Sequence, residues 1–274
     1  MKKNEWPNGA RCAVALTFDP DFDAVWFSRD MKNLENPRTL SLGRYGANVA
    51  FVRLLDILRD NQVPATFFTL AWTAENFPDL VKEAHRQGHE IAGHGDRHEN
   101  LGLHTEEEAR KIFRKNREII AKLTGVPPKG MRTKGDYKTW VYPILAEEGY
   151  VYDSSLKDRD MPYTIDSGSP KKSLIEIPFQ WINDDAPYFI FEKNFSPVGS
   201  VRISSTKAAF ETWEQEFEGH YRFGSCFVLC FHPQLLSAGR MLNLERLIHH
   251  MKNRGNVWFA RMSEIAEHYA SNSG

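Results

Sequence analysis

The sequence predicts an α/β fold in one domain spanning 1–274: a single irregular (β/α) barrel of about seven parallel strands. Three observations predict it. A helical stretch, a glycine and a short apolar run recur in that order. The pattern occurs around Gly88, Gly125, Gly149 and Gly255. Glycine after a helix is the usual left-handed cap, and helices alternating with short strands make parallel β/α units. The first strand, Ala13 to Asp19, puts Val14, Leu16 and Phe18 on one face and Ala13, Ala15 and Thr17 on the other. Large residues meet outer helices and small ones fill a crowded interior, as a barrel strand requires. The late strand from Cys226 sets Val228, Cys230 and His232 on one face, with His232 at the strand's C-terminal mouth. Catalytic groups of β/α barrels collect at that mouth.

The remaining elements follow along the chain. A helix runs from Ala47 to Asp60, with Val49, Val52, Leu55, Ile57 and Leu58 on its apolar side. Pro64 introduces a buried strand at Ala65–Leu70, and a helix from Val81 precedes the apolar step at His89–Ala92. Thr105 and Glu108 have capping-box spacing and open a helix to Thr124 whose apolar face carries Ile112, Phe113, Ile119, Ile120 and Leu123. Helices from Val141 and Leu244 each lead into a short strand. The stretch from Asn183 to Ser205, rich in Pro and aromatics, reads as an insertion at the rim.

Composition is that of an ordinary globular chain, 41% hydrophobic and 26% charged, with net charge −1. This balance offers no electrostatic argument for nucleic acid or an anionic membrane, and the Lys171-Lys172 pair is too short to change it. The three cysteines have no framework spacing and argue for a reducing compartment. No apolar core of a signal peptide follows Met1, and no segment approaches the roughly 18 apolar residues of a membrane span. A cytoplasmic location is expected.

Chemistry concentrates in a few segments. His94 and His98 stand four apart between Gly93, Gly95 and polar residues, a good chelate spacing. Asp19, Asp21 and Asp23 alternate after the first strand; if extended geometry persists, all three leave on the interior side. Such carboxylates repel one another unless a cation or proton intervenes. Two histidines and one carboxylate make a ligand set for a catalytic metal with an open position. A spare carboxylate and a spare histidine, His232, then supply base and acid. Each feature alone has a plain structural explanation: an Asx-turn loop for the aspartates, a carbonyl-bonded core-edge ring for His232, a turn cap for Asp153, a surface loop for Arg132. Arg132 also suits the orientation of a carboxylate through paired hydrogen bonds.

Taken in order, Thr17-Phe18-Asp19-Pro20-Asp21-Phe22-Asp23-Ala24, His94 to His98, Arg132, Asp153 and His232-Pro233 resemble the five motifs of the polysaccharide deacetylases, carbohydrate esterase family four. The Asp21-Phe22-Asp23-Ala24 form, His98-Glu99-Asn100 and Glu176-Ile177-Pro178 before Trp181 resemble the cytoplasmic peptidoglycan-deacetylase-like branch, which includes cyclic imide and allantoin-type ring-opening hydrolases. The resemblance implies metal-dependent cleavage of a carbon–nitrogen amide bond in an N-acetylated sugar or polysaccharide. The alternative it carries is ring opening of a cyclic imide, allantoin or similar small amide. A non-catalytic carbohydrate-binding protein on the same fold is a third possibility. It implies Asp23, His94 and His98 as ligands of a divalent metal, zinc first. It also implies Asp21 as base, oriented by Arg132, and His232 as acid; the archetypal Thr-Phe-Asp register would instead make Asp19 the base. Asp19, Asp153 and Glu99 are supporting residues. The partner implied is a sugar or small-molecule substrate. The same branch implies a homo-oligomer, with Trp213 and Phe217 as surface aromatics for an interface. Arg132-Thr133-Lys134-Gly135 departs from the family pattern, which has proline shortly after the arginine.

Overall fold

The computed structural model describes residues 6–168, 173–190 and 203–272. Lys171-Lys172 and the centre of the Asn183–Ser205 insertion lie outside them. A curled, mostly parallel sheet forms a half-barrel with helices outside. Its first strand, β1 (Cys12–Phe18), is buried along its whole length. After a one-turn helix α1 (Ala24–Phe27), α2 (Pro37–Tyr45) passes through a π-helical segment at Gly46–Ala50 into α3 (Phe51–Asp60). The single helix expected from Ala47 is thus the second half of a longer one.

Next come β2 (Ala65–Thr69), α4 (Ala71–Asn76), α5 (Pro78–Arg86) and β3 (Glu90–Gly93). They are followed by α6 (Glu106–Thr124), β4 (Gly130–Met131), α7 (Val141–Glu147), β5 (Tyr152–Asp153), β6 (Tyr163–Ile165) and β7 (Leu174–Glu176). The chain ends with α8 (Ala186–Phe189), α9 (Thr206–Phe223), β8 (Cys226–Phe231), α10 (Ala238–Arg254), β9 (Val257–Phe259) and α11 (Met262–Asn272).

The strand order is β6-β7-β5-β4-β3-β2-β1-β8, with β9 also on β1. Among the described residues every pairing is parallel except β6 with β7. Along β1, Ala13–Phe18 pairs with β8, Leu16–Phe18 with β2, and Cys12–Val14 with β9. Among the described residues, one parallel bridge, Asp184 to Cys230, extends beyond β8.

The alternation of β1 sorts two cores. Val14, Leu16 and Phe18 join Phe67, Phe227 and Phe231 against Leu54 and Leu58 of α3, Trp213 and Phe217 of α9, and Leu244 and Ile248 of α10. Each fully buried side chain of this size contributes roughly 1.5–3 kcal/mol. Ala13, Ala15, Phe68, Ala92, Tyr152, Val228 and Cys230 fill the interior. Trp213 and Phe217 are fully buried, so they are not surface aromatics. The spacing Phe210, Trp213, Phe217, Tyr221 lays one face of α9 onto β8, where Trp213 meets Phe231 edge-on at 4.9 Å. No described helix is long and apolar enough to cross a membrane.

Two local devices set the strand ends. Thr105 and Glu108 form the capping box of α6, and Gly125 closes that helix with φ 78°. Gly43 lies so close to the β1–α1 loop that a Cβ there would stand 2.5 Å from the Asp23 nitrogen and from the Phe22 carbonyl carbon. Only a hydrogen at this position lets α2 press directly on that loop.

His89 precedes β3, buried with its ring edge-on to Phe67 at 5.5 Å and neither ring nitrogen bonded among the described residues. Burial, then nearby Arg261, pushes its imidazole from 6.5 down to about 4. Between these values the unfolded chain binds the extra proton, so stability is full above about 6.5 and is lost as pH falls toward 4. In His89→Gln the melting temperature should fall less steeply over that interval than in the parent, as measured by calorimetry.

Candidate active site

The site lies at the C-terminal mouth of the sheet. The alternation of β1 carries Thr17 and Asp19 inward and then stops. The Asp21 N–H bonds the Asp19 carbonyl at 2.9 Å, Phe22 takes φ 48°, and Asp23 occupies the N-cap of α1 in helical geometry. This turn separates the three aspartates. Asp19 and Asp21 face the interior, whereas Asp23, also buried, meets Arg44 through Oδ2 at 3.2 Å and leaves Oδ1 without a partner among the described residues.

Asp21 meets the two histidines. Its Oδ1 stands 3.5 Å from His94 Nε2 and its Oδ2 3.6 Å from His98 Nε2. One donor atom from each of Asp21, His94 and His98 lies within 4.8 Å of the others, and all three residues are buried. The expected grouping used Asp23. The geometry brings Asp21 there instead, because the chain turns at Phe22. Both Asp21 oxygens and His94 Nε2 are buried without a hydrogen-bond partner among the described residues. Three such atoms aimed at one point are costly unless a cation shares them. The donor set therefore fits a divalent ion.

The loop carrying the histidines is held from behind. His94 Nδ1–H donates to the Arg132 carbonyl at 2.7 Å, leaving Nε2 to face Asp21. The His94 N–H reaches the Thr69 carbonyl at the end of β2. Asn116 of α6 donates to the carbonyls of Thr69 and Gly95. Glu99 accepts from the Asp96 and Arg97 N–H groups, so it shapes the turn from outside. His98 takes φ 67°, and its imidazole is held well below the ordinary range by burial and then by Lys134.

Arg132 follows β4 and crosses the interior. Its guanidinium lies between the rings of Phe68 and Phe179, 4.0 and 4.4 Å from their centroids. It donates to Asp19 Oδ1 at 2.9 Å, Thr17 Oγ1 at 3.0 Å and the Ser154 carbonyl at 3.2 Å. The expected partner was Asp21; the observed one is Asp19, which leaves β1 on the same face as Thr17. Burial pushes the Asp19 carboxyl upward, yet Arg132, with His94 and His232, holds it below the usual range. Burial also dominates at Asp21 and pushes its carboxyl up to about 6.

His232 follows β8, with Nε2 3.7 Å from Asp21 Oδ2. Its Nδ1–H donates to Asp185 Oδ1 at 2.6 Å, and its backbone N–H also reaches that carboxylate. Burial would lower the imidazole, but Asp185, then Asp184 and Asp21, lift it to about 10. Neither Asp184 nor Asp185 was singled out from sequence. Their one signal is a pair of adjacent acids among Trp181, Ile182, Tyr188 and Phe189, where burial would demand a partner. Asp153 ends β5. It accepts from Ser155 Oγ at 2.7 Å, and burial pushes it to about 6 beside the buried Glu176. Its neighbour Ser154 is what touches Arg132.

Catalytic groups of β/α barrels collect at this mouth, where buried carboxylates and imidazoles face one another beside a donor set that fits a cation. The sequence profile of the family described as polysaccharide deacetylase matches residues 11–152. A peptidoglycan deacetylase of Helicobacter pylori is 26% identical over 93% of this chain and 96% of its own. The crystal structure of a polysaccharide deacetylase-family protein from Mycobacterium smegmatis superposes with a TM-score of 0.91. It is 37% identical over 98% of this chain and 93% of that one. An allantoinase structure (Puue), at 23% identity and a TM-score of 0.85 over 99% and 94% of the two chains, shares the fold. The chain belongs to the polysaccharide deacetylase family. It is a hydrolase of carbon–nitrogen bonds other than peptide bonds, of the carbohydrate deacetylase type.

Replacing Asp185 by Asn removes the negative partner of His232 while keeping its shape. In metal-free protein followed by histidine NMR, the His232 titration should drop from about 10 toward the ordinary value. An unchanged titration would remove Asp185 as the group that holds this ring charged.

Proposed function

We propose that the protein removes an acyl group, acetyl first, from the amide nitrogen of an amino sugar, with Asp21, His94 and His98 holding a divalent ion. The observation that carries this reading is the convergence of three buried, unpartnered donor atoms on Asp21 and His94 beside His98. Two imidazoles and one carboxylate match zinc best. When bound, the ion acts as a Lewis acid that acidifies water and polarises the amide carbonyl.

The side chains divide the remaining work. Asp19 is the base. Arg132 occupies its Oδ1 and keeps it ionised at rest, so Oδ2 is the oxygen that takes the proton of the attacking water. Asp21 is a poorer base because both its oxygens face the two histidines that would share its ion, whereas Asp19 turns one oxygen to Arg132 and stands 3.8 Å from His94 Nε2 through the other. The water oxygen bonds to the carbonyl carbon, and the carbon–nitrogen bond breaks. His232, charged through Asp185, gives its Nε2 proton to the departing nitrogen. A free carboxylic acid and a free amine leave. Arg132 acts through Asp19, and Asp185 acts through His232. Phe68 and Phe179 seal the guanidinium from water, which strengthens its hold on Asp19.

Metal content measured by elemental analysis should be lost in Asp21→Asn and His94→Ala but kept in Asp23→Asn. Retention in Asp21→Asn with loss in Asp23→Asn would reverse the ligand assignment. Asp19→Asn should bind the ion yet lower kcat by about 10²–10⁴-fold. The substrate class is tested with zinc-loaded protein on N-acetylglucosamine oligomers alongside cyclic imides and ureides. Ring opening without release of acetate would overturn the amino-sugar reading.

A further inference from the structure

One buried nucleophile at the mouth has no part in this chemistry. Cys230 lies on the inner face of β8, two residues before His232. Its thiol approaches Asp19 Oδ2 at 3.6 Å, and Arg132 donates to the sulfur at 3.2 Å. An Asp19 oxygen, Cys230 Sγ and a ring nitrogen of His232 lie within 4.8 Å of one another, and all three residues are buried. This donor set shares no residue with that of Asp21, His94 and His98 but adjoins it, Asp19 Oδ2 standing 3.8 Å from His94 Nε2 and His232 Nε2 3.7 Å from Asp21 Oδ2, and its members include the proposed base and acid.

We propose that Asp19, Cys230 and His232 form a second, inhibitory site for a thiophilic divalent ion, zinc in excess or cadmium, beside the Asp21–His94–His98 set. A thiolate and an imidazole select zinc, cadmium and similar borderline-to-soft ions over magnesium or calcium, which prefer oxygen donors. Asp19, Asp21, Asp184 and Asp185 contribute four carboxylates, all buried, and the cations facing them and the Cys230 thiol are Arg132, Lys134 and Lys157. Binding releases the thiol proton of Cys230 and the ring proton of His232 to solvent. The ion then ties up a carboxylate that must accept a proton and removes the proton that the imidazole must give. Occupancy of the site stands on geometry alone. Its inhibitory effect rests on the roles proposed above for Asp19 and His232.

The test titrates protein loaded with one equivalent of zinc with cadmium. Bound metal is counted by equilibrium dialysis, the cadmium–thiolate charge-transfer absorption is followed in the ultraviolet, and hydrolysis is assayed in parallel. The expected result is uptake of a second equivalent, appearance of the thiolate band and loss of activity in step. Cys230→Ser should abolish the band and raise the cadmium concentration needed for inhibition by more than about tenfold, since even an outer-shell partner is worth tenfold or more in metal affinity. Cys12→Ser, which alters another buried thiol on β1, should leave both unchanged. Cys230→Ala, checked for native circular dichroism, repeats the measurement if the serine variant does not fold. Uptake of a single equivalent, or a second equivalent and band that persist without Cys230, would overturn the site. Uptake with the band but without loss of activity would overturn its inhibitory role. Zinc-loaded protein inactive from the outset would count against the hydrolase reading, while the metal count and band would still decide the site.

Discussion

One residue ties the catalytic mouth together. The Arg132 guanidinium, enclosed by two phenyl rings, fixes Asp19, while its backbone carbonyl fixes the tautomer of His94. Side chain and main chain of a single position therefore set both the ionisation of one group and the aim of another. A buried guanidinium without its carboxylate would be severely destabilising, so the pair keeps its geometry whether or not substrate is present. Lysine would lack the planar fork that reaches Asp19, Thr17 and Ser154 together.

Around this anchor the mouth is a set of charges whose environments drive them apart. Asp19 is held low by a cation, Asp21 is pushed up by burial, and His232 is lifted by Asp185. Neighbouring groups with opposed proton affinities give a base and an acid in one cavity at one pH. The histidine loop contributes direction. His98 accepts a left-handed backbone so that its ring turns to the same carboxylate as that of His94.

Much of the scaffold was legible in the residues. The large–small alternation of β1 separated outer core from interior, and Gly88, Gly125, Gly149 and Gly255 all have positive φ where a helix was expected to end. The pairing of His94 with His98 was legible because both lie on one short loop. The carboxylates were not, because strand geometry was carried past Phe18. Pro20 and the turn at Phe22 end the alternation, and no local pattern says which oxygens then face inward. The partner of Arg132 depends on how β4 lies across the interior from β1, a relation over 113 residues. Asp185 reaches His232 over 47 residues from a segment without strand periodicity. Trp213 and Phe217 share helical spacing with Phe210 and Tyr221, and that spacing marks a core face.

Among the described residues the sheet stays open beyond β8, where a lone bridge at Asp184 stands in for a full ladder. Asp185, the carboxylate that lifts the His232 imidazole, arrives on this seam and not on a strand. An insertion or replacement there alters proton affinity at the mouth without disturbing the register of any neighbouring ladder.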